Sequence, residues 1–264
     1  TVVPVENANN EQTQTQGSST TDTNTYYYKQ LSNTAKKIYD GLKKHKDDMK
    51  TGTYVIDFGT EFNSILNGAD GEEILNQEYQ SAWNAFSYDN VDLYYLDINK
   101  VSMVMEARTE GATTTYYVKI GPGDYSSYLS STFANKKEIE DADAYIKDIR
   151  NQVMSILGPY NNAMKIKVVN EWMIDNLSYE NIEGNNNKYN LYGAIVETKV
   201  VCEGYARMFK YIMDGLNIPC ILVSGTATNS EGETELHAWN YVELNGQWYA
   251  VDVTWNDPVV IGEG

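Results

Sequence analysis

Cysteine occurs only twice in the 264 residues, at Cys202 and Cys220, so a disulfide framework is not what holds this chain together. Lysine and arginine number 20 against 37 aspartates and glutamates, a formal charge of -17. No basic run offsets that balance, which excludes a dominant phosphate-binding surface, because nucleic-acid binders need clustered cations to displace counterions. No apolar window approaches the length needed to cross a bilayer. No second Cys or His lies at metal-site spacing, and the first half of the chain has no Gly-rich phosphate loop. What is present is a hydrophobic share of 42%, enough for a sizeable core, in a length that suits one large domain or two ordinary ones.

Residues 1–25 are rich in Thr, Asn, Gln and Ser and nearly empty of large aliphatics, so they cannot offset the entropy of ordering. They read as a flexible leader of the kind that holds a bacterial protein off a cell surface. The first residue is Thr1, not Met, from which we expect that an upstream targeting segment has been removed. Over 31–49 the stripe Leu31, Ala35, Ile38, Leu42 predicts an amphipathic helix closed by Gly52, with His45 a structural residue near its end. A strand over 54–58 and a helix over 72–86 follow, then strands over 93–96, 101–107 and 113–120, rich in β-branched and aromatic residues. Residues 26–135 thus form a small α+β domain. A connecting helix lies within 136–159, read from apolar periodicity over 141–157 and closed by Gly158-Pro159. The second domain spans 160–264, beginning with a helix over 162–177 that carries Met164, Val168, Trp172 and Met173 toward a core.

The second domain is organised around Cys202. Tyr205, Phe209, Ile212, Met213 and Leu216 recur at helical spacing after it, so the thiol sits in the first turn of a helix, where the dipole favours a thiolate. Gly204 beside it permits a close approach of backbone or substrate. Cys220, within the apolar run 218–223, reads as buried filler of a strand. Downstream, Asn245-Gly246 between two alternating runs is a hairpin signal. A two-residue loop there pairs Leu244 with Gln247, sets Trp239 opposite Asp252 and His237 opposite Thr254, and makes His237 and Asp252 diagonal neighbours on one face. Diagonal neighbours lie about 7 to 8 Å apart, within reach of two side chains. A histidine held by a carboxylate is oriented to handle a proton with its other nitrogen. Three readings stay open on the residues alone: a bare His–Asp pair, a metal site short of ligands, or a Cys–His–Asp set for acyl transfer.

The segments Val201-Cys202-Glu203-Gly204-Tyr205-Ala206, His237-Ala238-Trp239-Asn240 and Trp248-Tyr249-Ala250-Val251-Asp252-Val253-Thr254-Trp255 resemble, in order and type, three blocks of the transglutaminase-like superfamily. The resemblance covers about 160–257, with a looser likeness over 82–96. It implies a papain-like α+β core, a cysteine helix packed on an antiparallel sheet. It also implies Cys202 as nucleophile, His237 as base and Asp252 as its partner, with no cofactor and no metal. Asn190 and Tyr192 fall in the matching approach segment and are the candidates, with Trp239, for oxyanion or substrate contacts; the Cys202 backbone amide is a further candidate donor. Domains of this family generally continue with further strands, so the expectation is either a short domain or a sequence that is a fragment of a longer one.

The resulting expectation is a cysteine-dependent enzyme acting on amide bonds of proteins or peptides, as peptidase or transglutaminase. Hydrolysis is favoured because nothing specifies an amine donor site. Its partner would be a protein or peptide substrate, cell-wall associated, and its place extracellular or tethered to a bacterial surface; nucleic acid is excluded. The alternatives are a catalytically silent scaffold of the same fold and a polysaccharide-binding module drawing on the aromatic share of 12%.

Overall fold

Ser32 opens the first helix by accepting the Ala35 amide on its hydroxyl, and the apolar stripe behind it closes onto the core. This is α1, Asn33–Lys44, which buries Ala35, Ile38, Tyr39 and Leu42. The computed structural model describes residues 25–228, 232 and 234–257. The expected leader therefore lies, but for Thr25, outside the described residues. After α1 come β1 (Ile56–Gly59), α2 (Asn63–Leu66) and α3 (Gly71–Asp89). The hairpin β2 (Ser102–Glu110) and β3 (Thr113–Gly121) then completes an antiparallel sheet of order β1-β3-β2. His45 caps the end of α1, stacks on Tyr54 and pairs with Asp48 at 2.9 Å, a structural role.

The strand expected over 93–96 does not form. Tyr94 and Tyr95 are both buried, which alternation in a half-exposed strand forbids, and only Leu96 makes a bridge, to Leu129. Their hydroxyls fix the segment instead: Tyr95 donates to the Lys46 carbonyl at 2.8 Å and Tyr94 to Asp143 at 2.6 Å.

The long helix α4 is Lys136–Leu157, five residues longer at its start than the periodicity predicts. Asn135 accepts the Glu138 amide while Glu138 accepts that of Ala134, a reciprocal cap that apolar spacing does not reveal. In α5, Asn162–Asn176, the inward residues are Ile166, Val169 and Met173, whereas Met164 is exposed. The short strands β4 (Ser178–Tyr179) and β5 (Lys199–Val200) pair in parallel, and a π-helical turn, Gly193–Glu197, sits between them.

Helix α6, Cys202–Gly215, follows directly and packs on a second antiparallel sheet of order β6-β7-β8: Cys220–Thr228, Thr234–Leu244 and Gln247–Val251. A last turn of helix, α7, is Val253–Asn256. The fold is thus α+β with antiparallel sheets. Buried apolar residues from Ala35 to Val253 form one continuous core that runs through both halves of the chain. Two buried polar residues fasten α6 to the sheet. Asn240 donates to the carbonyls of Ala206 and Ile221 at 3.0 and 3.3 Å, and Lys210, 1% exposed, bonds Asp214 and the Cys220 carbonyl. Burial pushes Asp214 up to about 6 against the pull of the Lys210 charge.

Candidate active site

Cys202 is the first residue of α6, with Val201 in extended conformation as its N-cap, so the half-exposed thiol stands at the positive end of a 14-residue helix. The turn is held tightly against the strand before it. A Cβ on Gly204 would stand 2.5 Å from Val200 Cβ and 2.8 Å from the Lys188 carbonyl oxygen, which also accepts the Val201 amide at 3.0 Å. Gly204 thus admits backbone, one of the two approaches its sequence position allowed. Lys188 is itself buried and anchored by Asn181 and the Ile182 carbonyl at 2.7 and 2.8 Å.

The hairpin has the register set by its turn. Asn245 and Gly246 take φ values of 55° and 80°, as a primed two-residue turn requires, and Leu244 faces Gln247 while Asn240 faces Val251. The ladder then stops. Asp252 leaves the sheet as the N-cap of α7, so the expected pairing of His237 with Thr254 is absent. The carboxylate consequently does two jobs: Oδ1 accepts the Trp255 amide at 3.1 Å, and Oδ2 lies 2.7 Å from His237 Nε2.

His237 is 5% exposed, and its cross-strand partner on β6 is Gly225, which carries no side chain. Burial alone would lower the pKa of the ring. The hydrogen bond to Asp252 and then the interaction with Cys202 outweigh it and raise the ring to about 9. The imidazole is therefore protonated at neutral pH, held by a carboxylate on Nε2 and facing the thiol as its second partner. Two indoles flank it. Trp239 stacks at 6.0 Å between ring centroids, and a Cβ on Gly225 would meet its ring at 3.1 Å. Trp255 stacks closer, at 4.8 Å, and is half exposed. Trp255 stood in the third sequence block without a role; its signal was the spacing Asp252-x-x-Trp255, which becomes a capped turn folding the indole back over the histidine.

Asn190 and Tyr192 are placed differently. Asn190 accepts the Gly193 amide at 3.0 Å and donates to Asn187 at 3.3 Å, so its amide caps the π-helical turn. Tyr192 packs against Tyr94 and Phe133, at 5.8 and 5.2 Å, joining the second half of the chain to the first. Tyr179, on β4 beside Val200, is raised by burial and then by the charges of Cys202 and Glu235, which places it among the thiol's neighbours. Cys220 is fully buried, and burial pushes its thiol far up. Among the described residues no group of His, Cys, Asp and Glu is arranged to hold a metal ion. No helix among them is long and apolar enough to cross a membrane.

The chain is 25% identical over 157 residues to the kyphoscoliosis peptidases of Mus musculus and Homo sapiens, covering 53% of this chain. It spans only 23% of the length of those curated relatives. A solved structure, that of a TGase, is 16% identical with a TM-score of 0.40, covering 63% of this chain and 47% of that one. Residues 150–253 match the model of the transglutaminase-like superfamily, so that segment is similar to a transglutaminase-like domain.

Proposed function

We propose that the chain is a cysteine-dependent acyl-transfer enzyme acting on amide bonds of proteins or peptides, with Cys202 as nucleophile, His237 as proton carrier and Asp252 as its orienting carboxylate. The observation that carries this reading is His237, fixed at 2.7 Å to Asp252 and paired with a thiol at a helix N-terminus. In this scheme His237 carries the proton that the thiol sheds, so its next act is donation. The Cys202 sulfur attacks the carbonyl carbon, and the oxygen takes up the negative charge beside the backbone amide of Cys202 at the helix end. His237 gives its proton to the leaving nitrogen, the C–N bond breaks and a thioester remains. Water or an amine then loses a proton to the neutral ring and attacks the thioester; the C–S bond breaks and the pair is restored. Trp239 and Trp255 cover the ring and lower the local dielectric around its bond to Asp252. The peptidase names of the curated relatives favour hydrolysis as the outcome. The Ser/Thr/Asn-rich first 25 residues support a place outside the cell, tethered to a bacterial surface and working on wall-associated protein.

The test is iodoacetamide alkylation of the native protein as a function of pH, followed by peptide mapping. Cys202 should react well below pH 8 while Cys220 stays protected, and His237→Ala should abolish the low-pH reaction. Slow and equal labelling of both thiols would sink the proposal.

A further inference from the structure

The last turn of α3 belongs to the amino-terminal half of the chain but lies against the cysteine helix. Ser87 accepts Arg207 through its carbonyl at 3.1 Å and its hydroxyl at 3.0 Å. Asp89 accepts the backbone amides of Tyr27 and Tyr28 at 3.1 and 3.0 Å and the Tyr39 hydroxyl at 3.1 Å. Between these two anchors stands Tyr88. It packs against the small buried cluster of Ala206, Leu222 and Ala238, against which Cys202 also packs. Ring and thiol therefore border the same small apolar cluster.

The ring is fixed at both ends. Its hydroxyl bonds the Ser224 hydroxyl on β6. Its side lies 5.2 Å from the Tyr27 ring, whose own hydroxyl donates to the Leu222 carbonyl. Core packing alone does not explain these ties, since Tyr88 is half exposed and Ser224 is exposed. These ties hold the ring in one place, and a preformed wall discriminates by size.

We propose that Tyr88 is a specificity-determining residue of the acyl site: a fixed aromatic wall, supplied by the amino-terminal half, that admits acyl groups slender next to the reacting carbonyl and turns away branched or aromatic ones. The proposal rests on the reading of Cys202 as the nucleophile. It gives the amino-terminal half a chemical task, since the superfamily match begins only at residue 150 and leaves Tyr88 outside it.

The test uses one warhead in two sizes, N-ethylmaleimide and N-(1-pyrenyl)maleimide, on the full chain, with rates at Cys202 read by peptide mapping. Tyr88→Ala should raise the pyrenyl-to-ethyl rate ratio about tenfold or more, and Tyr88→Trp should lower it. Tyr88→Phe and Ser224→Ala, which keep a ring but release its hydroxyl tether, should raise the ratio by less than Tyr88→Ala. Opposite signs for Ala and Trp cannot come from general loosening of the fold. If Tyr88→Ala does not fold, Tyr88→Trp and Ser224→Ala carry the test. Ratios within about twofold of wild type in folded variants at this position would overturn the wall. Failure of the nucleophile reading has a separate signature: an N-ethylmaleimide rate at Cys202 that is indifferent to His237→Ala, whatever the size ratio does.

Discussion

The two thiols of this chain lie eighteen residues apart and each begins an element, yet they are in opposite physical situations. Cys202 heads α6, half exposed, with a protonated imidazole in reach; Cys220 begins β6, fully buried, its thiol pushed up by desolvation even though the Lys210 charge pulls the other way. Residue type is constant across the pair, so whatever separates their chemistry comes from the helix end, the charge partner and access to solvent. The comparison also ranks these terms. At Cys220 burial outweighs a nearby cation, and at His237 a carboxylate and a thiol together outweigh burial.

The strongest way to erase the difference is Asp252→Asn. Asparagine caps a helix about as well as aspartate, so α7 and the fold should persist. The amide can present the wrong group to Nε2 and loses the charge that keeps the ring protonated. Turnover of any amide substrate should fall by about 10²- to 10⁴-fold, and the pH profile of alkylation at Cys202 should move toward that of an ordinary thiol. Full activity in this variant would mean that Asp252 serves only as a cap.

A second way is to move the helix end itself. Gly204→Ala puts a methyl group against Val200 and the Lys188 carbonyl, both part of tightly packed backbone-proximal structure. Denaturant unfolding should show a loss of roughly 2–4 kcal/mol. The first turn of α6 can relieve the clash only by shifting, so alkylation at Cys202 should slow as well. An unchanged midpoint would show that the turn is looser than its contacts imply.

The third sharpens the electrostatic half of the comparison. The pKa of His237 is raised from 6.5 to about 9 in the folded protein, so its protonated form is favoured by folding. That contribution is complete below pH 6.5 and is lost as pH rises through about 9. The difference in unfolding free energy between wild type and His237→Gln should accordingly be largest near pH 6, on the order of 2–3 kcal/mol, and shrink toward pH 10. A difference that grows with pH would reverse the assignment of the charged form.

Much of this site could be read from the chain. The register of β7 and β8 follows from Asn245-Gly246 and the period-two alternation, and the place of Cys202 follows from helical spacing, because both signals are local. Sequence reasoning fails where tertiary contacts decide. Tyr94 and Tyr95 looked like strand residues but are pinned by hydroxyl bonds to Asp143 and Lys46. Asn190 offered an amide at the right place along the chain, and its oxygen accepts the Gly193 amide of a local turn that spacing did not reveal. Tyr88 lies 114 residues before Cys202 and gives no pattern that links the two. Only the meeting of α3 with α6 and β6 brings them together.

The two duties of Asp252 also bear on how long the site persists once formed. Helix α7 is a single turn, the shortest kind of helical segment and the kind most given to fraying. When that turn opens, the carboxylate that started it loses its anchor at the Trp255 amide, and the same event removes the indole from the face of His237. Orientation of the ring and closure of the turn are therefore one equilibrium, so the lifetime of the aligned imidazole is the lifetime of four residues of helix.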